Sequence, residues 1–168
     1  MTQDFEATLE AWQPFFAAEL GAAAALGGLL FVSLSLNLTK ILSYPALPIR
    51  ALVALVLLLA VLVISSVALV PGQSEHALAI EIFIVAVAVW ASVTAMDIHV
   101  FRTRALQSVP QYAVNMAILQ IAAAPYVLGG LILLAGNPAG LYCLAVAVIA
   151  SFVKAVIDAW VLLVEINR

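Results

Sequence analysis

The last long apolar stretch of the chain carries a base and an acid four residues apart, Lys154 and Asp158. On a helix this spacing puts both side chains on one face, where an oppositely charged pair is roughly neutral as a unit. Ser151 and Glu165 lie close to the same face. Two interpretations stay open: a structural ion pair that anchors one end of the helix, or a proton or anion site that faces an inward cavity.

Two other apolar stretches have polar residues at both ends of one helical face and apolar residues between them. On the first stretch these polar residues are Glu19, Ser33, Asn37 and Lys40, and on the third they are Glu81, Ser92 and His99. One interpretation is a conduit, in which the acids concentrate cations, the apolar part gates and the inner polar groups form a vestibule. The alternative is interfacial acids together with hydrogen bonds between helices.

A second face of the first stretch is made of small residues, among them Gly21, Ala25 and Gly28. Such a face lets helix backbones approach closely in lipid, so we expect this helix to be buried on most sides. Asp97, Asn115 and Gln120 lie at a depth similar to that of the Lys154 pair, and a polar cluster there could include them and Asn37. The candidate pore-lining or polar-cavity residues are Glu19, Ser33, Asn37, Lys40, Glu81, Ser92, His99, Gln120, Ser151, Lys154 and Asp158.

The elements that position these residues follow from composition. Of the 168 residues, 67% are hydrophobic and 9% are charged, against about 25% charged in soluble domains. Five stretches are long enough to cross a hydrocarbon core of about 30 Å: residues 15–38, 49–70, 77–96, 113–134 and 141–164. The sequence predicts an all-α polytopic transmembrane bundle, with residues 1–14 as a short acidic extracellular or periplasmic segment and 15–168 as one five-helix domain.

The positions of the basic residues predict the orientation, because Lys and Arg near span ends are retained in the cytoplasm. All six fall on one predicted side: Lys40, Arg50, Arg102, Arg104, Lys154 and Arg168. The other side has only acids: Asp4, Glu6, Glu10, Glu19, Glu75 and Glu81. We therefore expect the N-terminus outside and the C-terminus inside.

Residue sets for common enzyme chemistry are missing from the sequence. His76 and His99 are predicted on opposite sides of the membrane, so they cannot bind one metal or haem together, and the sequence has no HExxH or CxxC motif. No Ser-His-Asp set can be placed at one depth. We expect no enzyme activity, no cofactor, no metal site and no nucleic-acid partner.

Four stretches of the sequence carry a resemblance: residues 37–42, 47–51, 69–73 and the tail from Asp158 to Arg168, which reads DAWVLLVEINR. In these stretches the chain resembles an uncharacterised family of small bacterial integral membrane proteins. The resemblance covers almost the whole chain. It implies a multi-pass protein of the bacterial inner membrane, and it transfers no catalytic or binding residue.

Three functions fit these patterns. The first is a homo-oligomeric cation channel or pore lined by the first or third span. The second is a structural or accessory protein that binds other membrane complexes and transports nothing. The third is a small-solute carrier with an inward polar cavity around Lys154 and Asp158. The expected partners are the lipid bilayer, further copies of this chain and possible membrane-protein partners.

Overall fold

The computed structural model describes residues 2–43, 47–102 and 109–166, and every regular element in these ranges is helical. The helices are α1 (Thr2–Leu36), α2 (Leu38–Leu42), α3 (Leu47–Ala68), α4 (Glu75–Arg102), α5 (Val109–Leu134) and α6 (Gly140–Ile166). All except α2 are long and apolar enough to cross a membrane. The prediction of an all-α bundle with five spans is therefore confirmed.

The helices α1 and α4 extend furthest beyond the stretches that the hydropathy pattern predicts. The helix α1 has 35 residues, which is about 52 Å at 1.5 Å per residue, and it continues unbroken through Pro14. The described part of the acidic segment 1–14 is thus the first turns of α1. The helix α4 continues past Met96, where the predicted stretch ends, to Arg102. Asp97 therefore lies within the helix and not after it.

The helix α3 lies at the centre and packs against α1, α4 and α6, while α5 packs against α4 and α6. Short connections at residues 69–74 and 135–139 reverse the chain, each with a glycine at positive φ, Gly72 at 74° and Gly136 at 73°. Both connections lie at one end of the bundle, which we call the turn end. Lys40, Arg50 and Arg102 lie at the opposite end, which we call the basic end. Arg104 and Arg168, two predicted members of that end, are outside the described residues.

The expectation that the first span is buried on most sides is wrong for the single chain. Only 11% of the residues in its apolar window are buried, against 56% for α3. The reason is its position at the edge of the bundle, where it packs along α3 and touches α6 only slightly. Near the turn end, Trp12 meets Tyr142 of α6 edge to face at 4.9 Å between ring centroids. The small-residue face is open, since a Cβ added to Gly21, Gly27 or Gly28 would meet nothing within 4 Å.

Candidate functional site

Four helices bring charged and amide side chains together inside the basic half of the bundle. Lys154 and Asp158 of α6 are both 2% exposed. The Lys154 Nζ lies 2.6 Å from Oδ1 and 2.5 Å from Oδ2 of Asp158. Because the two residues are one turn apart on one helix, α6 alone sets the geometry of this ion pair. The pair predicted from spacing is therefore present, and it is buried.

Asn115 of α5 joins this ion pair to a second carboxylate on α4. Its Nδ2 donates a hydrogen bond to Asp97 Oδ1 at 2.7 Å, and its Oδ1 accepts one from Lys154 Nζ at 3.2 Å. A side-chain amide is the group that can serve an anion and a cation at once, since it carries a donor and an acceptor. Asp97, Asn115, Lys154 and Asp158 form one continuous set, which we call the inner polar cluster.

One atom of the inner polar cluster has no hydrogen-bond partner among the described residues. It is Oδ2 of Asp97, on a residue that is 7% exposed. Asp97 also lines a small cavity with Arg50, Val53 and the rest of the cluster. The cavity has a volume of about 10 Å³, close to the minimum that holds one water molecule. A water molecule there would satisfy the unpartnered oxygen.

Arg50 of α3 completes the charge balance. It is half-buried, lines the same cavity and is close enough to act electrostatically on both Asp97 and Asp158. Two carboxylates therefore face two cations. Without Arg50 the inner polar cluster would carry one net negative charge in a low-dielectric interior, which is costly. The sequence predicts Arg50 only as one of the basic residues that set the orientation, although its position at the start of α3, at the same end as Lys154, is consistent with this role.

Of the residues expected in a polar cluster, the structure joins Asp97 and Asn115 to the Lys154–Asp158 pair and places Gln120 and Asn37 in other contacts. The Gln120 Oε1 accepts a hydrogen bond from Trp90 Nε1 at 2.7 Å, and its Nε2 donates to Thr94 at 3.1 Å. These contacts tie α5 to α4 closer to the middle of the bundle. Asn37 donates from Nδ2 to the Ser33 carbonyl at 3.0 Å, so it bonds within its own segment.

A second buried polar contact joins α5 and α6. The hydroxyls of Tyr126 and Ser151 lie 3.1 Å apart, and both residues are fully buried. Ser151, a candidate residue, thus faces Tyr126 although it shares a helix with Lys154. Tyr126 could not be predicted as its partner, because the two residues lie on different apolar segments of the sequence.

The candidate residues of the two predicted conduit stripes stay outside the inner polar cluster. Apart from Glu19 and Asn37, which are half-buried, they are all exposed on the single chain: Ser33, Lys40, Glu81, Ser92 and His99. Two of these side chains have hydrogen bonds to residues nearby in the sequence. Ser92 donates to the Ala88 carbonyl at 2.7 Å, and Glu81 accepts from Gln73 at 2.7 Å. A hydroxyl that bonds to its own helix can face lipid at little cost.

A comparison of the chain with protein-family models, curated proteins and solved structures finds no match. The five long apolar helices are the feature that indicates a multi-pass membrane protein.

Proposed function

We propose that this protein is a membrane transport protein for a small ion, with the inner polar cluster as its ion site. The observation that carries the proposal is the buried carboxylate of Asp97, which has an unpartnered oxygen beside a water-sized cavity. Ionisable groups inside spans are costly, and in membrane proteins they mark ion and proton pathways. A purely structural cluster would gain stability from pairing that last oxygen.

The cavity limits the species that the site accepts. A volume of about 10 Å³ has room for one water molecule and none for an organic solute, whose pockets measure roughly 300–1,000 Å³. If the protein is the small-solute carrier predicted from the sequence, its substrate is therefore a proton or a similarly small cation. The unpartnered acceptor oxygen of Asp97 beside the cavity favours a proton or another cation over an anion.

The same proposal includes an orientation and a location. Lys40, Arg50 and Arg102 at the basic end support a cytoplasmic position for that end, and hence an outside N-terminus. The inner polar cluster would then open toward the cytoplasm. We propose the bacterial inner membrane as the location, on the strength of the sequence resemblance alone.

A homo-oligomeric channel is the second candidate. Its support is the exposed stripe of α1, where Glu19 is half-buried and Ser33 and Lys40 are exposed on the single chain. Copies that met along α1 would cover these groups and give them an aqueous path. An accessory protein, which transports nothing, is supported by the open backbone around Gly27 and Gly28, where a helix of another membrane protein could pack closely.

Ion flux into liposomes separates the three functions. Purified protein is reconstituted into liposomes that contain a dye sensitive to pH, Na⁺ or K⁺, and flux is driven by a gradient of the matching ion. We expect flux that Asp97→Asn abolishes and that Glu81→Gln, which removes an exposed carboxylate of α4, leaves intact. Flux that Glu19→Gln abolishes and Asp97→Asn preserves would support the channel. Absence of flux under every gradient would overturn both transport proposals and leave the accessory role.

A further inference from the structure

The two carboxylates of the inner polar cluster are not equivalent. Both oxygens of Asp158 contact the Lys154 ammonium, at 2.6 and 2.5 Å. Asp97 instead receives one hydrogen bond from a neutral amide, that of Asn115, and its Oδ2 has no partner among the described residues. An ammonium neighbour stabilises the ionised form of a carboxylate more strongly than a single hydrogen bond from a neutral amide does.

The charged and titratable groups that face Asp97 come from three helices. Arg50 of α3 lines the same cavity, the phenol of Tyr112 on α5 is close enough for its charge to interact with that of Asp97, and α6 contributes Lys154 and Asp158. Lys154 acts on Asp97 more strongly than Asp158 does, although it is already paired with Asp158, and Arg50 is the second cation that acts on Asp97. The charge of Asp97 is therefore balanced by these two cations or by a proton.

We propose that Asp97 is the proton-binding residue of this protein, that Oδ2 takes the proton from a water molecule in the adjoining cavity, and that Arg50 balances the ionised form. The proton site follows from the contacts of Asp97. Only the purpose of proton binding rests on the proposed transport function. In the step itself, a hydronium ion at the cavity gives its proton to Oδ2. One O–H bond breaks, another forms, and a neutral water molecule stays behind.

Oδ2 of Asp97 can share a hydrogen bond with a water molecule in the cavity in both protonation states of the carboxyl group. When Asp97 is ionised, Oδ2 accepts a hydrogen bond from the cavity water, and when it is protonated, the new O–H donates to that water. Asn115 can keep its hydrogen bond to Oδ1 in both states, because a carboxylic acid retains a carbonyl acceptor. Proton binding therefore changes the charge of the site without breaking the link between α4 and α5. The charge change acts on Arg50, which loses its anionic partner.

Infrared spectroscopy of the full chain in lipid nanodiscs tests the assignment directly, because a protonated carboxylic acid has its own carbonyl stretch. Spectra are recorded across a pH series. We expect one buried acid band that grows as pH falls, that is absent in Asp97→Asn and that persists in Glu81→Gln. A band that survives Asp97→Asn overturns the proposal.

A pair of arginine variants keeps the test valid if Asp97→Asn fails to fold. Removal of the Arg50 charge should increase the ratio of protonated to ionised Asp97 at a fixed pH by about tenfold, because an opposite charge nearby favours the ionised form. Arg50→Gln should therefore intensify the acid band, whereas Arg102→Gln, at the exposed end of α4, should leave it unchanged. Equal spectra for the two variants would overturn the role of Arg50.

The infrared and flux measurements fail independently. A band assigned to Asp97 in a protein that passes no ions would leave the proton site standing and remove the transport function. Flux without an Asp97 band would leave the transport function standing and remove the proton site, since the flux would then require another residue or ion.

Discussion

Gly129 of α5 and Gly140 of α6 lie so close that a Cβ added to Gly140 would come 2.5 Å from the Gly129 carbonyl oxygen. The same Cβ would meet Cγ of Leu133 at 2.7 Å and its backbone nitrogen at 3.0 Å, so the obstacle includes the main chain of α5. This near contact sets the spacing of the α5–α6 hairpin, whose helices carry Asn115, Lys154 and Asp158 in their other half.

Gly140→Ala should therefore destabilise the bundle. Overpacking of a tight contact costs about 1–3 kcal/mol, and the backbone here cannot move without separating α5 from α6. The free energy of unfolding, measured by denaturation in mixed micelles and followed by circular dichroism, should fall by that amount. Gly28→Ala is the matched control, because a Cβ there would meet nothing within 4 Å. Equal stability for the two variants would contradict the close packing.

The hydroxyl pair of Tyr126 and Ser151 predicts an asymmetry between two conservative substitutions. Tyr126→Phe leaves the Ser151 hydroxyl with a second acceptor, the Ala122 carbonyl at 3.5 Å. Ser151→Ala leaves the Tyr126 hydroxyl buried without that partner, and unsatisfied buried groups cost about 1–3 kcal/mol. Ser151→Ala should thus lower the free energy of unfolding more than Tyr126→Phe, in the same denaturation experiment. The reverse order would show that Tyr126 finds another partner.

Hydrophobicity alone could predict the five spans, but not that α1 begins as early as Thr2 or that α4 continues to Arg102. Asp97 marks the end of the apolar run, so a hydropathy pattern stops α4 at Met96. The helix continues because Asn115 and the rest of the inner polar cluster solvate that carboxylate. The burial of α1 could not be predicted either. A small-residue face indicates that a helix can pack closely against a neighbour, but it does not indicate that this chain supplies that neighbour.

Within the site, the predictable part was the contact made on one helix. The Lys154–Asp158 pair follows from a four-residue spacing, whereas the partners from other helices depend on how α4, α5 and α6 are rotated. Gln120 shows the limit. It lies five residues after Asn115, which at 100° per residue turns it about 140° around α5. Similar depth therefore did not place the two amides in one cluster, and Gln120 faces Trp90.

The proposed orientation predicts which turns can be labelled from outside an intact cell. The native Cys143 is first replaced by alanine, and single cysteines are then placed at Ala139 near the turn end or Ser43 near the basic end, both exposed. A membrane-impermeant maleimide should label Ala139→Cys in intact cells and Ser43→Cys only after permeabilisation. The opposite pattern would place the basic end outside and contradict the positive-inside argument.

Removal of the Lys154 ammonium should be far more costly than removal of the whole ion pair. Loss of one partner of a buried pair typically costs about 3–5 kcal/mol because it leaves an uncompensated charge, whereas well-packed apolar replacements of both are often neutral. Lys154→Met should therefore unfold more easily than the double variant Lys154→Met with Asp158→Leu. Asp158 in the single variant can escape its unpaired charge by binding a proton. The stability difference between the two variants should accordingly shrink as pH falls.

Denaturation of both variants at neutral and acidic pH measures this difference, with Arg102→Met as the control for loss of an exposed cation at the same end of the bundle. A pH-independent difference would contradict this prediction, because it would mean that Asp158 keeps one protonation state over the whole range without Lys154. If that state is the ionised one, Arg50 must serve both carboxylates, and the ionised form of Asp97 would be less stabilised than in the natural chain.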